Sequence, residues 1–307
     1  MVLDGEDAAL GPGAAGAAQV LAAADWDPST LRLYRMRRVI EAGAIDDLRD
    51  LFDRAEDQSG MPDGIVLPKV EHPDEVSLLS SVLDELDGES GTGGDRIRIL
   101  VMVESGWAVM RLGDLVTAAG SRLAGLIFGA ADFAADVGLP SADRPHPVAD
   151  AARTAIVTAA GASGVPALDG MTLRYPVRRD DMLAALELVR RDADRARDIG
   201  MAGKWTGHPG QLLATLLAFG EAPSEAAIDA AQTELAAYRS LRATGQAVGA
   251  HDGTMMDAAT ERHARTVLRQ AVATGRLDPT VAVTLGVITN EEDDAMARTR
   301  RTAGMDR

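Results

Sequence analysis

Cysteine is absent from all 307 residues, which excludes disulfides, thiolate metal sites and a cysteine nucleophile and agrees with a cytoplasmic protein. Aromatic residues are only 3% of the chain, so any core must be aliphatic. No uninterrupted apolar run approaches the roughly 18 residues of a transmembrane helix, and the N-terminus lacks the basic-then-apolar order of a signal peptide. Basic residues are outnumbered, 31 Lys and Arg against 47 Asp and Glu, and they gather in no block. The resulting charge of −16 argues against nucleic acid or an anionic membrane as the main partner. There is also no GxGxxG, no phosphate-binding loop and no His-rich metal pair.

What is present is organised around Ile97 to Pro140. Two short apolar runs, Ile97–Gly106 and Leu123–Ala134, each turn polar at an acid, Glu104 and Asp132. Apolar runs without alternation read as parallel strands buried on both faces. The stretch between them, about 108–119, reads as a helix, which makes a βαβ unit. Chemistry in a closed parallel barrel sits at the C-terminal strand ends. Two carboxylates there suit Mg²⁺, an ion satisfied by one or two acids plus waters and substrate oxygens. The same acids would equally serve as N-caps of the following helices.

The segment Phe128-Gly129-Ala130-Ala131-Asp132-Phe133-Ala134-Ala135-Asp136-Val137-Gly138-Leu139-Pro140 resembles the metal-binding strand end of the citrate lyase β-subunit-like family, which includes malyl-CoA lyases. Val103-Glu104-Ser105-Gly106 is similar to the strand end that supplies that family's second ligand. The resemblance runs from about Val2 to Leu268 and implies a TIM (β/α)8-type barrel over residues 1–222 with a small C-terminal helical lid domain over 223–307.

Other segments carry the same resemblance. Val2-Leu3-Asp4-Gly5-Glu6-Asp7 is similar to the end of the family's second strand, so the first β/α unit is missing from the expected barrel. A start placed downstream of the true one explains this better than a lost strand, because an open parallel edge leaves backbone groups unpaired. A helix near 14–24 and a strand over 30–36 follow. Alternation along Leu31, Leu33 and Arg35 puts the arginine at the barrel rim, and the family's acid-binding Arg aligns better with Arg35 than with Arg32. Pro68-Lys69-Val70-Glu71 resembles the fourth strand end, with Lys69 at the mouth as a cation for an anionic substrate. The run 86–94, rich in Gly, Asp and Ser, reads as a loop. Gly203-Lys204-Trp205-Thr206-Gly207-His208-Pro209-Gly210-Gln211 resembles the last strand of malyl-CoA lyases and the Trp-x-x-His-Pro of malate synthases, placing His208 near substrate. In the C-terminal segment, Ser224 N-caps a helix over 225–242. Asp252-Gly253-Thr254-Met255-Met256-Asp257 resembles the family's C-terminal signature, and Asp257 is also a natural N-cap for a helix over 258–274.

The resemblance implies a Mg²⁺-dependent lyase, with Mn²⁺ as the alternative ion, that splits a 3-hydroxy-3-carboxy-acyl-CoA into an acyl-CoA thioester and a 2-oxo acid or runs in reverse. Glu104 and Asp132 would hold the metal, Arg35 would bind the acid and the thioester end, and Asp257 would move the α-proton. Lys69 and His208 would contact substrate, and Glu6 and Asp7 would hold metal-bound waters. It also implies a homotrimer or homohexamer in which the C-terminal domain reaches a neighbouring subunit. A citrate lyase β subunit, a malate synthase, a malyl-CoA thioesterase and a truncated non-catalytic homologue are the other outcomes the same residues allow.

Overall fold

In the computed structural model the described residues are 1–6, 13–23, 26, 30–55, 60–89, 97–142, 144–220, 222–251, 253–290, 292 and 293. They form two compact units, one reaching Phe219 and a second from Gly220 on. The first unit alternates strands and helices in the order β1 (Val2–Asp4), α1 (Gly13–Ala23), β2 (Leu33–Arg35), α2 (Ala44–Arg54), β3 (Gly64–Leu67), α3 (Pro73–Glu89), β4 (Arg98–Val103), α4 (Gly106–Met110), α5 (Leu112–Ala119), β5 (Leu123–Phe128), α6 (Ala130–Asp136), α7 (Pro147–Ser163), β6 (Ala167–Asp169), α8 (Met182–Ile199), β7 (Gly203–Lys204) and α9 (Pro209–Phe219).

The seven strands make one parallel sheet in which each strand pairs with the next in sequence, β1 through β7. Two apolar layers follow from the period of 2 along each strand. One row, including Ile65, Leu67, Ile99, Val101, Val103, Leu126 and Phe128, packs with the helices. The other row gathers Val2, Leu33, Val66, Leu100, Met102, Ile127, Leu168 and Trp205 into a single cluster. A sheet whose one face brings residues from the first strand to just past the last into one cluster is curled, so the architecture is an α/β half-barrel of seven described strands, with β1 and β7 not paired to each other. Full burial of each Leu, Ile or Val stabilises by roughly 1.5–3 kcal/mol, which suits a core with so few aromatics.

Strands are shorter than the apolar runs suggest; the run over 30–36 contributes only Leu33–Arg35 to the sheet. The helix expected over 108–119 is two helices that meet at Arg111, whose guanidinium stacks 4.5 Å from the Trp107 ring and donates to the Glu71 carbonyl at 3.0 Å. The expected loop over 86–94 begins late, because α3 continues to Glu89 with Leu83 and Leu86 buried against the core. Residues 90–94 of that run lie outside the described residues.

The second unit contains α10 (Glu225–Ala243), the antiparallel hairpin of β8 (Gly249–His251) and β9 (Thr254–Met256), α11 (Ala258–Ala273) and α12 (Pro279–Thr284). Ile228 and Leu235 of α10 share a small apolar core with Ala264, Leu268 and Ala271 of α11. Ser224 caps α10 by accepting from the Ala227 N–H at 3.2 Å. No helix among the described residues is long and apolar enough to cross a membrane.

Candidate active site

The inward rows of β1, β2, β4, β5 and β6 begin apolar and end polar or small at their C-terminal ends. Val2 is followed by Asp4, Leu33 by Arg35, Leu100 and Met102 by Glu104, Ile127 by Gly129 and Leu168 by Gly170. The later member of each pair lines one cavity of about 500 Å³. Asp132 and Trp205 also line it.

Glu104 is the most constrained group there. It is 4% exposed, and its Oε1 accepts the Lys69 backbone N–H. Burial pushes its carboxyl up to about 8; the Lys69 N–H opposes this, while the charges of Asp132 and Glu6 add to it. Lys69 adopts φ +52°, and no other non-glycine residue among those described has a positive φ. Such a conformation costs on the order of 1–3 kcal/mol and is held only where its surroundings over-determine it. Here it aims an N–H at Glu104 and an ammonium at Glu6 Oε1, 2.8 Å away. Gly129 completes the cradle, because a Cβ at that position would overlap the Glu104 side chain, with its Oε2 at 2.5 Å.

Asp132 lies in the first turn of α6 rather than on the strand itself. β5 stops at Phe128, and the alanine-rich stretch after Gly129 takes up helix at once. The acid is exposed, opens on the cavity and acts electrostatically on Glu104. Arg35 faces them from β2. It pairs with Asp4 through two nitrogens and with Glu6 at 2.8 Å, and its guanidinium lies 5.5 Å from the Trp205 ring centroid. The neighbouring arginines are engaged elsewhere: Arg32 with Asp63, Arg37 with Asp47, and Arg38 with Glu71 and Glu75. Asp7 lies outside the described residues.

His208 stands beside the cavity, whose lining includes Gly207. Its Nδ1 accepts the Gly210 N–H at 3.1 Å, and its ring is 6.1 Å from Tyr175. Asp257 belongs to the second unit and N-caps α11, accepting from the Ala259 and Thr260 N–H groups at 2.8 and 3.0 Å. Those backbone bonds hold its carboxyl below the usual range.

Two supports were not evident in the sequence. Gln211, 1% exposed, accepts from the Gly207 N–H at 3.0 Å and donates to the carbonyls of Thr172 and Arg174 at 2.6 and 3.0 Å. It thereby ties together the two loops that carry Met171, Leu173, Tyr175 and Gly207 into the cavity wall. Behind that wall, Asp169 is fully buried between Arg153 at 2.7 Å and Lys204 at 2.8 Å, and Lys204 also pairs with Asp192. Burial works against ionising Asp192, yet the charge and hydrogen bond of Lys204 hold its carboxyl below the usual range. Gln211 ends the segment 203–211 that resembles the malyl-CoA lyase strand, which was its only signal; the ion network joins residues that are far apart in sequence.

The donor set fits a hard divalent cation. Among the described residues no cluster of three or more His, Cys, Asp or Glu is suited to a metal, but an ion that retains waters needs only one or two carboxylates. A buried carboxyl pushed toward its neutral form by nearby negative charge is also a group that a cation would relieve.

A family model described as "Domain of unknown function (DUF6986)" matches residues 4–301. The L-malyl-CoA/beta-methylmalyl-CoA lyase of Rhodobacter capsulatus is 30% identical over 239 residues, covering 73% of this chain and 71% of that protein. The chain belongs to the citrate lyase β-subunit-like family. Within it, a citrate lyase from Burkholderia xenovorans LB400 superposes with a TM-score of 0.74 at 28% identity, covering 92% of this chain and 87% of that one. CitE from Mycobacterium tuberculosis, solved with magnesium, acetoacetate and coenzyme A, superposes at 0.61 with 26% identity, covering 88% and 89%. Magnesium thus accompanies a member of this citrate lyase β-like group whose fold this chain shares.

Proposed function

We propose that this chain is a Mg²⁺-dependent carbon–carbon lyase of the malyl-CoA or citramalyl-CoA type. It splits a 3-hydroxy-3-carboxy-acyl-CoA into an acyl-CoA and a 2-oxo acid such as glyoxylate, or condenses the two. The observation that carries this reading is the convergence of Glu104 and Asp132 with Arg35 in one cavity at the C-terminal strand ends. Relatives named as malyl-CoA lyases and the magnesium complex of CitE support it.

Glu104 and Asp132 would hold the ion, with Lys69 and Gly129 fixing the Glu104 rotamer. When bound, Mg²⁺ supplies Lewis-acid polarisation of the acid's keto oxygen. Arg35, its direction set by Asp4 and Glu6, orients the carboxylate of the 2-oxo acid and the thioester end. Trp205 and Met102 give the acyl group an apolar wall and exclude water from the acyl-CoA α-carbon. Asp257, ionised at neutral pH, moves the α-proton from a neighbouring subunit of a trimer or hexamer. Lys69 adds positive potential at the mouth, Glu6 holds Lys69 and Arg35 in place, and His208 contacts substrate beside Tyr175.

The test is incubation with malyl-CoA and Mg²⁺, trapping released glyoxylate and separating the CoA products. Acetyl-CoA and glyoxylate in equal amounts, lost in Glu104→Gln and in Asp132→Asn, is the expected result. Free CoA with malate would make the chain a thioesterase instead. No cleavage of malyl-, methylmalyl- or citramalyl-CoA by the wild type would overturn the reading.

A further inference from the structure

A second cavity, of about 300 Å³, adjoins the first and shares Ala130, Met171 and Leu173 with it. Its far side carries four arginines, Arg144, Arg153, Arg191 and Arg195, against one carboxylate, Asp192, together with the apolar Leu188. This balance is opposite in sign to that of the whole chain, whose net charge is −16.

The arginines are not equally committed. Arg153 is bound to Asp169 at 2.7 Å and to Asp150 at 3.4 Å, and Arg195 also pairs with Asp150. Asp192 is taken up by Lys204 at 2.8 Å and by the Thr172 hydroxyl at 2.6 Å. Arg191 makes one weak contact, to Glu187 at 3.7 Å, at a position where both side chains are more than half exposed. Arg144 has no hydrogen bond or ion pair among the described residues. Arg153, Arg195 and Lys204 are matched by Asp150, Asp169 and Asp192, so it is Arg144 and Arg191 that keep unused donors at this partly apolar cavity. A guanidinium fork binds a carboxylate or phosphate through two parallel hydrogen bonds.

We propose that this second cavity is a binding site for a small anionic group, carboxylate or phosphate, on an apolar stem, with Arg144 and Arg191 as its ligands and Leu188 against the stem. The shared wall gives two sources for that group: the tail of the molecule held in the first cavity, or a separate small anion. Met171, an unbranched thioether in contact with Tyr175 at 3.4 Å, is the adaptable part of that wall. Only the first source rests on the lyase reading.

Calorimetric titration of the full chain with Mg²⁺ present separates the cases. Inorganic phosphate and glutarate probe the cavity alone; 2-oxoglutarate, compared with 2-oxobutyrate, probes a tail reaching from the first cavity. Each is run on wild type, Arg144→Gln and the Arg144→Gln/Arg191→Gln double variant, none of which removes a buried ion pair. A loss of tenfold or more for phosphate or glutarate in the double variant establishes the site with a separate anion as its ligand. A preference for 2-oxoglutarate over 2-oxobutyrate that the double variant abolishes establishes the substrate tail. If phosphate binds in an Arg144-dependent way while the wild type cleaves none of malyl-, methylmalyl- and citramalyl-CoA, the lyase reading fails and this site stands. Equal binding of all four probes by wild type and double variant, or no binding of phosphate, glutarate or 2-oxoglutarate to the wild type, overturns the proposal.

Discussion

At the scale of the residue, Glu104 joins fold to chemistry. The native chain holds its proton up to about pH 8, whereas the ordinary carboxyl value is 4.5. Between those values folding takes up a proton, so metal-free protein loses stability as pH rises through that window and levels off above it. Thermal melts from pH 5 to 9 should show the slope, and Glu104→Gln should flatten it. Because that proton must leave before the carboxylate can bind a cation, Mg²⁺ affinity should rise with pH up to the same value, which titration calorimetry would read. Gly129 sets a steric condition on the same group. Gly129→Ala forces its Cβ into the Glu104 side chain. It should cost about 1–3 kcal/mol of stability and sharply weaken Mg²⁺ binding; an unchanged melting temperature together with native Mg²⁺ affinity would show that Glu104 has another place to go.

At the scale of the element, the sequence was most legible where one strand or helix carried its own signal. The βαβ unit over 97–140, the Ser224 cap and the Asp257 cap each rest on neighbours in sequence, and their elements form where expected. Legibility failed where distant residues decide. The left-handed Lys69 is set by Glu104 and Glu6, and the Arg153–Asp169–Lys204–Asp192 network spans α7, β6, α8 and β7. Asp132 illustrates an intermediate case: the acid was found, but its place on a helix depended on alanines that carry no amphipathic pattern. Gln211 shows what such distant contacts do. Gln211→Leu would leave the Thr172 and Arg174 carbonyls and the Gly207 N–H without their partner. A loss of roughly 1–3 kcal/mol is expected. Because the freed loops wall the cavity, KM should rise by a larger factor than kcat falls, with Mg²⁺ affinity unchanged; steady-state kinetics would separate this from a uniform loss of folded enzyme.

At the scale of the whole molecule, the chemistry proposed here is divided between two units, the carboxylates in the first and Asp257 in the second. If Asp257 serves a neighbouring subunit, then Asp257→Ala and Glu104→Gln, each inactive alone, should recover part of the wild-type turnover when unfolded and refolded together. Removal of a positioned proton-transfer group typically costs about 10²–10⁴-fold, so recovery should be plain above either variant's background. No recovery in the refolded mixture, with trimers or hexamers present by light scattering, would place Asp257 in service of its own barrel or of α11 alone.

The order of strands in the sheet is also their order in the chain, and this bears on how the protein is made. A ribosome extends the chain from its N-terminus at about 5–20 residues per second, so each strand from β2 on is made after the neighbour on its N-terminal side. Glu104 and Asp132 therefore leave the ribosome before β6, β7 and the segment bearing Trp205 do. During synthesis the residues that carry the two acids are thus made some seconds before those proposed to enclose an acyl group.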